Sequence, residues 1–394
     1  MKEVVIVGAA RTAVGDFMGS LSGFRGHELG VFALKGAIEK SGINPEIIEE
    51  VIVGHINQAG SPGNSARWVT LKSGCPAETI STTVHQQCPA SMRAADIISQ
   101  EIMLGRIEVG AAVGQESMSN APYLLMNGRK GYRLGDGENI QDSLMLGGLI
   151  CAFEGYHMGV TAENIAEQYN ISREMQDEYS LLSHQRACKA IESGLFKEEI
   201  VPVEIKNRKG TKIFDIDEHP NPGATMAMAS GLKPVFKKDG TVTAFNASSL
   251  NDGAAAMLLM STDKAKELGL KPLAKVKASA SGACEPRIMG MGVVPAVHRA
   301  LKFAGLSVKD IDYWELNEAF AAQALACQKE LGISIEDLNV MGSGIPIGHP
   351  VGMTGVRIIM AAINELKRRG GRYACASMCA SGGPACAFIV ENIK

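Results

Sequence analysis

Nowhere along the chain do eighteen apolar residues follow one another, so no segment reads as a membrane-spanning helix. No Cys-x-x-Cys occurs, which leaves a zinc ribbon or a thioredoxin-type pair without its sulfurs. Gly290-Met-Gly292 and Gly342-Ser-Gly344 do not complete a G-x-G-x-x-G, and there is no Gly-Lys-Ser/Thr loop for nucleotide phosphates. No His/Asp/Glu cluster has metal-ligand spacing, so no metal is expected. A net charge of −3 gives no reason to expect nucleic acid or an acidic membrane as partner. The nine cysteines are scattered and odd in number, against a secreted disulfide scaffold; a reducing cytoplasm fits, with most cysteines as small core residues.

What remains is a globular composition, 46% hydrophobic and 21% charged, in 394 residues, enough for two or three domain-sized units. Met1-Lys-Glu-Val-Val-Ile-Val-Gly8 reads as a first strand rather than a signal peptide. The chain also repeats itself. Ala37–Val51 and Ala300–Trp314 each read as a helix, a Gly stop followed by Ile or Leu, a turn and a strand entry. The offset is 263 residues (300 − 37), which carries Cys88 to position 351, two beyond His349. Downstream, a helix to about Leu104 and the strand Val109–Gly114 match a helix over Thr354–Leu366 and the strand Arg372–Ser377. Two related α/β halves about a pseudo-dyad would bring the two helix N-termini together.

Between the halves, residues from about 120 to 249 are rich in Gly, Pro and charge, including Gly128–Asp136 and Lys206–Lys212. They read as a loop-rich insertion with one clear helix, opened by Thr161-Ala-Glu-Asn164 at capping-box distance.

Three segments carry chemistry: His85-Gln-Gln-Cys-Pro-Ala-Ser-Met92, Gly348-His-Pro-Val-Gly352 and Ser377-Met-Cys-Ala-Ser-Gly-Gly383. Each places a sulfur or imidazole among small residues at an expected junction of a strand or loop with a helix. Cys88 at a helix N-terminus feels unpaired N–H groups that lower a thiol pKa from about 8.5, and Pro89 suits the first helical position. His349, between glycine and proline, is an acid/base or a capping residue. Cys379 precedes a glycine turn whose N–H groups could face an oxyanion, or simply fills a tight turn. Asn317, in Glu315-Leu-Asn-Glu-Ala-Phe-Ala-Ala-Gln323, offers an amide where a strand meets a helix.

These segments, with Ala9–Gly15, Gly114–Pro122, Tyr156–Asn164, Lys238–Ala244, Asn246–Ser248 and Asn251–Ala256, resemble the thiolase family over nearly the whole chain. The resemblance implies a fold of duplicated βαβαβαββ halves in five layers with an inserted loop domain. The halves would be 1–120, completed by 250–271, and 272–394, with 121–249 as the loop domain for CoA binding and oligomerisation. Tyr156-His-Met-Gly159 is most similar to the short-chain biosynthetic branch, which implies a cytoplasmic homotetramer of paired dimers. It implies acetyl-CoA, CoA and 3-ketoacyl-CoA as substrates and no separate cofactor. Cys88 would be the nucleophile, His349 its base and Cys379 the second acid/base. One oxyanion site would use His349 with a water held by Asn317; the other, the backbone N–H groups of Cys88 and Ser381. CoA contacts would come from His157, Met158, Ser248, Ala319 and Phe320, with Phe236 and Met289 as walls. The basic residues Lys206, Arg208, Lys209 and Lys212 could attract CoA phosphates, though a solvated loop is the plainer reading. Two activated thiols, Cys88 and Cys379, could also form a reversible disulfide.

The chain departs from the family pattern at Pro89, Ala90 and Ser91 after the nucleophile and at Met341 and Ser343 before the His-Pro pair. It departs again at Phe245 and Ser249 beside Asn-Ala-Ser, at Ser381 and Pro384 in the glycine turn, and at Asn221 near the adenine position. Several of these line the acyl and pantetheine channel, so a shifted acyl preference is expected. The rival readings are a decarboxylating condensing enzyme of the same fold and a non-catalytic CoA- or lipid-binding relative.

Overall fold

The computed structural model of the chain describes residues 1–135, 139–207 and 210–393. The first half runs β1 (Val4–Thr12), α1 (Gly26–Ser41), β2 (Glu50–Gly54), α2 (Ser65–Lys72), β3 (Ile80–Val84), α3 (Ala90–Met103) and β4 (Val109–Ser117). It is completed after the insertion by β5 (Asn251–Ser261). The second half is β6 (Ala274–Ala283), α6 (Val293–Ala304), β7 (Tyr313–Leu316), α7 (Ala321–Leu331), α8 (Thr354–Arg369), β8 (Tyr373–Cys379) and β9 (Pro384–Glu391). The intervening labels α4 (Met158–Tyr169) and α5 (Arg173–Glu192) belong to the insertion.

Both halves repeat one strand order. In the first, β3, β2 and β4 are parallel, and β5 then β1 add antiparallel. In the second, β7 and β8 are parallel, and β9 then β6 add antiparallel. A parallel bridge from Trp314 to Leu338 stands where β3 stands in the first half. The half-sheets join where β1 meets β6, at Val5–Lys275 and Ile6–Ala274. The expected α/β class and doubled βαβαβαββ order are thus the observed ones.

Layering follows from which faces are apolar. Strands β4 and β5 are buried along their whole length, as sheets covered on both faces must be. α3 and α8 fill the space between the half-sheets. Met92, Ile98, Val356, Ile359 and Ile363 share one core with Met257 and Phe388, each worth about 1.5–3 kcal/mol of burial. α1 covers the outside of one half-sheet and α6 the outside of the other.

At the centre, the N-termini of α3 and α8 touch backbone to backbone. The Ser91 hydroxyl donates to Met353 O and accepts from Val356 N, both at 3.2 Å. An added β-carbon at Gly355 would overlap the Met92 amide nitrogen, and one at Gly114 would overlap the Gly352 carbonyl. Cys88 and His349 lie in the turns that enter these helices.

Four expectations need correction. α3 starts at Ala90 with Pro89 as its cap residue, so proline stands one place ahead of the first helical position. The helix read from Thr161 starts at Met158, where the His157 ring accepts from Gly159 N at 3.0 Å; an imidazole nitrogen does the work expected of a hydroxyl. The insertion holds a second, longer helix, α5, whose polar residues hid it: Gln176, Asp177, Ser180, Ser183 and His184 are buried by contacts with other segments. Cys379 ends β8 and turns into the antiparallel β9, not into a helix.

The insertion is tied down by charge. Arg11 on β1 is fully buried and donates to Glu199 at 2.9 Å and to both Asp217 oxygens at 2.7 and 2.9 Å. Such a bidentate pair holds geometry as well as energy.

Replacing Gly355 with alanine should lower unfolding free energy by about 1–3 kcal/mol through overpacking at the helix crossing. Chemical denaturation of Gly355→Ala beside the parent chain measures it.

Candidate active site

One cavity of about 540 Å³ collects the sequence-predicted residues. Cys88, His349, Cys379 and Ser381 line it, as do His157, Met158, Phe236, Ser248, Met289, Ala319 and Phe320. Asn317 lies behind the wall, fully buried, with its Nδ2 3.4 Å from His349 Nε2. Of the basic group, Lys206 and Lys212 lie on an exposed hairpin and do not line the cavity; Arg208 and Lys209 fall outside the described residues.

The imidazole is fixed from two sides. Its Nδ1 lies 2.7 Å from Thr354 Oγ1, and that hydroxyl itself donates to Pro350 O at 3.0 Å. The hydroxyl proton is therefore committed, Nδ1 carries the ring proton, and the Nε2 lone pair meets only the long 3.4 Å contact from Asn317 Nδ2. Burial, with the Arg357 charge adding to it, pushes His349 down to about 3. At neutral pH it is an uncharged base. Gly348, at φ +103°, lets the turn pass Asn251, whose Oδ1 accepts from His349 N at 2.8 Å; a side chain at 348 would meet the Asn251 carboxamide at 2.6 Å. Only glycine suits both demands.

The nucleophile turn is strained. Gln87 sits at φ +54°, a conformation costly for a side chain of its size. Its carbonyl accepts from Ala90 N at 2.8 Å, and its own N–H reaches His85 Nδ1 at 3.3 Å. This left-handed residue turns the chain out of β3 and into α3. Cys88 is half-buried as a residue, yet burial pushes its thiol up to about 12, and the N–H groups of Cys88 and Ser381, which favour the thiolate, only partly offset this. The expected acidic thiol is therefore corrected: at this depth in the cavity, desolvation outweighs the favourable N–H groups. Burial also holds Cys379 well above the usual thiol range, and the neighbouring Cys88 adds to the rise. All nine cysteines are free.

Asn317 is held by a buried network that sequence reasoning missed. Glu318 accepts from Tyr179 and Ser183 of α5 at 2.9 Å, from Asn339 at 3.0 Å and from Ile345 N at 3.1 Å. The insertion thus reaches into the second half and sets the strand-to-helix turn. Asn317 Oδ1 makes no hydrogen bond to the described residues. Thr354, Asn251 and Ser91 were also missed: Asn251 and Ser91 meet partners from distant segments, and Thr354 reaches back only to Pro350 and His349 across the turn that enters α8.

At the other end, His157 stacks on Phe236 at 4.4 Å and 12°, and Phe236 meets Phe320 edge-on at 6.3 Å. Ser248 N donates to Ala319 O at 3.0 Å, closing this wall. It forms an apolar slot bounded by aromatic faces, fit for a long, thin ligand. Among the described residues, no group of three or more His, Cys, Asp or Glu could hold a metal ion.

Residues 4–263 match the family model described as "Thiolase, N-terminal domain" and residues 270–392 that described as "Thiolase, C-terminal domain". The chain is 47% identical over 393 residues to the acetyl-CoA acetyltransferase of Cupriavidus necator, covering all of both chains. It is similar to the solved acetyl-CoA acetyltransferase of Syntrophomonas wolfei, with a TM-score of 0.97 and 46% identity over all of both chains. It is also similar to human mitochondrial 3-ketoacyl-CoA thiolase in complex with CoA, with a TM-score of 0.95 and 41% identity over 100% of this chain and 98% of that one.

Two outcomes follow from this geometry. Alkylation of Cys88 by iodoacetamide should rise about tenfold per pH unit between about pH 6 and 9, without a plateau, because the thiol pKa lies above that window; peptide mass spectrometry reads it. Thr354→Val should free the imidazole to adopt either tautomer and lower kcat about tenfold, the worth of one hydrogen bond, with KM little changed; steady-state kinetics separates the two.

Proposed function

The chain belongs to the thiolase family, and we propose that it is an acyl-CoA C-acyltransferase that makes or cleaves a 3-ketoacyl-CoA through an acyl-Cys88 intermediate. The observation that carries this reading is the sharing of one cavity by Cys88, His349 and Cys379, with the His349 ring proton on Nδ1 and Nε2 as the basic nitrogen.

The proton bookkeeping fits these acidities. His349 Nε2 takes the Cys88 proton as the sulfur attacks the thioester carbonyl, so the thiolate forms only when its electrophile is present. The oxyanion develops against the N–H groups of Cys88 and Ser381, the same groups that favour a negative charge on the Cys88 sulfur. As the carbon–sulfur bond to CoA breaks, the leaving thiolate takes the Cys379 proton. Cys379 is then a thiolate whose burial makes it a strong base. It removes the α-proton of a second, acetyl thioester, and the resulting enolate attacks the acyl-Cys88 carbonyl. Cys88 leaves as thiolate and recovers its proton from His349. Each enzyme group ends as it began, the Cys379 proton leaving on CoA and the α-proton replacing it, and the reverse sequence is thiolysis.

The enolate oxygen would be met by His349 and by a water on Asn317, whose buried Oδ1 has no partner among the described residues. Removing one such donor costs about 3 kcal/mol in transition-state stabilisation. The aromatic slot of His157, Phe236 and Phe320 would take the pantetheine arm, with Met158, Ser248, Met289 and Ala319 completing it. In this reading the segment 121–249 supplies much of the CoA-facing wall and contacts for assembly. A tetramer of paired dimers agrees with the apolar side chains left exposed there, among them Tyr123, Leu125 and Met126. A decarboxylating condensing enzyme would place a second imidazole where the cavity has the Cys379 thiol, which disfavours that reading.

Incubation with acetyl-CoA should add one acetyl mass to Cys88 and release one CoA, and Cys88→Ala should abolish both. Intact-protein mass spectrometry with a thiol assay measures this; no adduct on Cys88 would overturn the proposed intermediate and favour a CoA-binding relative without catalysis.

A further inference from the structure

We propose that the acyl end of the cavity selects a short acyl group bearing a hydroxyl, held between the side-chain amides of Gln87 and Asn57. This rests on the acyl-Cys88 reading above and adds the class of acyl group that the enzyme accepts.

Gln87 directly precedes the nucleophile, so a group reaching its amide is within a few bonds of the thioester carbonyl. Both Gln87 and Asn57 line the cavity, beside an otherwise apolar wall of Ile56, Met118, Leu144 and Leu149. The Gln87 carboxamide makes no hydrogen bond to the described residues; only its backbone N–H and C=O are paired. Asn57 is oriented. Its backbone N–H donates to the buried Glu116 carboxyl at 3.2 Å. Its Oδ1 faces the turn of residues 145–149, 2.8 Å from where a β-carbon on Gly147 would stand. Gln87 Oε1 lies 2.9 Å from the corresponding point at Gly148. The glycine pair lets the turn settle directly on the two amides, which closes the pocket and keeps the bound chain short.

An unpaired amide in an apolar wall penalises a plain alkyl chain, because binding strips its water and returns no partner. A hydroxyl meets both needs at once, donating to Asn57 Oδ1 and accepting from Gln87 Nε2. A carboxylate is a poorer fit. Among the described residues no Lys or Arg lines the cavity, so its charge would be desolvated without a counter-ion.

The test compares transfer of butyryl, 3-hydroxybutyryl and 4-hydroxybutyryl groups from their CoA thioesters to Cys88, read as CoA release and as acyl mass on the protein. One hydroxylated substrate should exceed butyryl-CoA by about tenfold or more in kcat/KM. That ratio should fall toward unity in Gln87→Leu and in Asn57→Leu. A ratio within one variant is internally normalised, so a general loss of activity does not obscure it. If the strained turn rejects leucine at 87 and that variant fails to fold, Asn57→Leu reads the same ratio alone. Butyryl-CoA equal or better in the parent enzyme, or a ratio unchanged in the variants that fold, overturns the inference while Cys88 acylation still stands. No acyl mass on Cys88 from these substrates or from acetyl-CoA would instead remove the intermediate on which it rests.

Discussion

The contact between the first turns of α3 and α8 is the constraint on which this molecule depends. Two helices from different halves approach until their backbones touch, with Ser91 bonded to both Met353 and Val356 and Gly355 and Gly114 leaving no room for a side chain. Because close-packed interiors transmit displacement rather than absorb it, the turns carrying Cys88 and His349 are held in one relation. The strain at Gln87 and the positive φ of Gly348 are tolerated because the crossing over-determines both turns.

Burial then sets the chemistry. The same enclosure that raises Cys88 and Cys379 lowers His349, so the resting site carries no charge on any of the three groups at neutral pH. A thiolate standing in an empty, dry pocket would be costly and open to oxidation or alkylation. Here the nucleophile is made at the moment of use, by an imidazole whose proton position Thr354 decides. Buried acids behind the site are treated the same way. Burial raises Glu116 to about 7 and Glu315 to about 8, and each acts as a hydrogen-bonding hub more than as a charge. Ile56 N and Asn57 N donate to Glu116, while Tyr313 and Ser343 donate to Glu315.

Much of this was legible before any coordinates. The matching Gly stops after α1 and α6, at Gly42 and Gly305, are both left-handed caps, and that local chemistry made the duplication visible. Cys88, His349 and Cys379 announced themselves by standing among glycine, proline and serine. Their setting misled as well. A helix N-terminus suggested an acidic thiol at Cys88, since the favourable N–H groups are local and the desolvation that defeats them is not. α5 was missed because its polar residues face partners: Tyr179 and Ser183 donate to Glu318, and an amphipathic pattern is lost when a buried face is polar.

By itself the amino-acid order determined the α/β class, the internal repeat, the strand and helix alternation and the residues able to do acyl chemistry, because caps, turns and hydrophobic periods act over a few neighbouring positions. Only the tertiary structure decided how those residues behave. Which imidazole nitrogen carries the proton depends on Thr354, whether a thiol is ionised depends on the depth of protein around it, and which amides stand beside Cys88 depends on the turn of Gly147 and Gly148 resting on Asn57 and Gln87. Desolvation and hydrogen-bond partnership are sums over groups brought together from distant parts of the chain, and such sums exist only once the chain has folded.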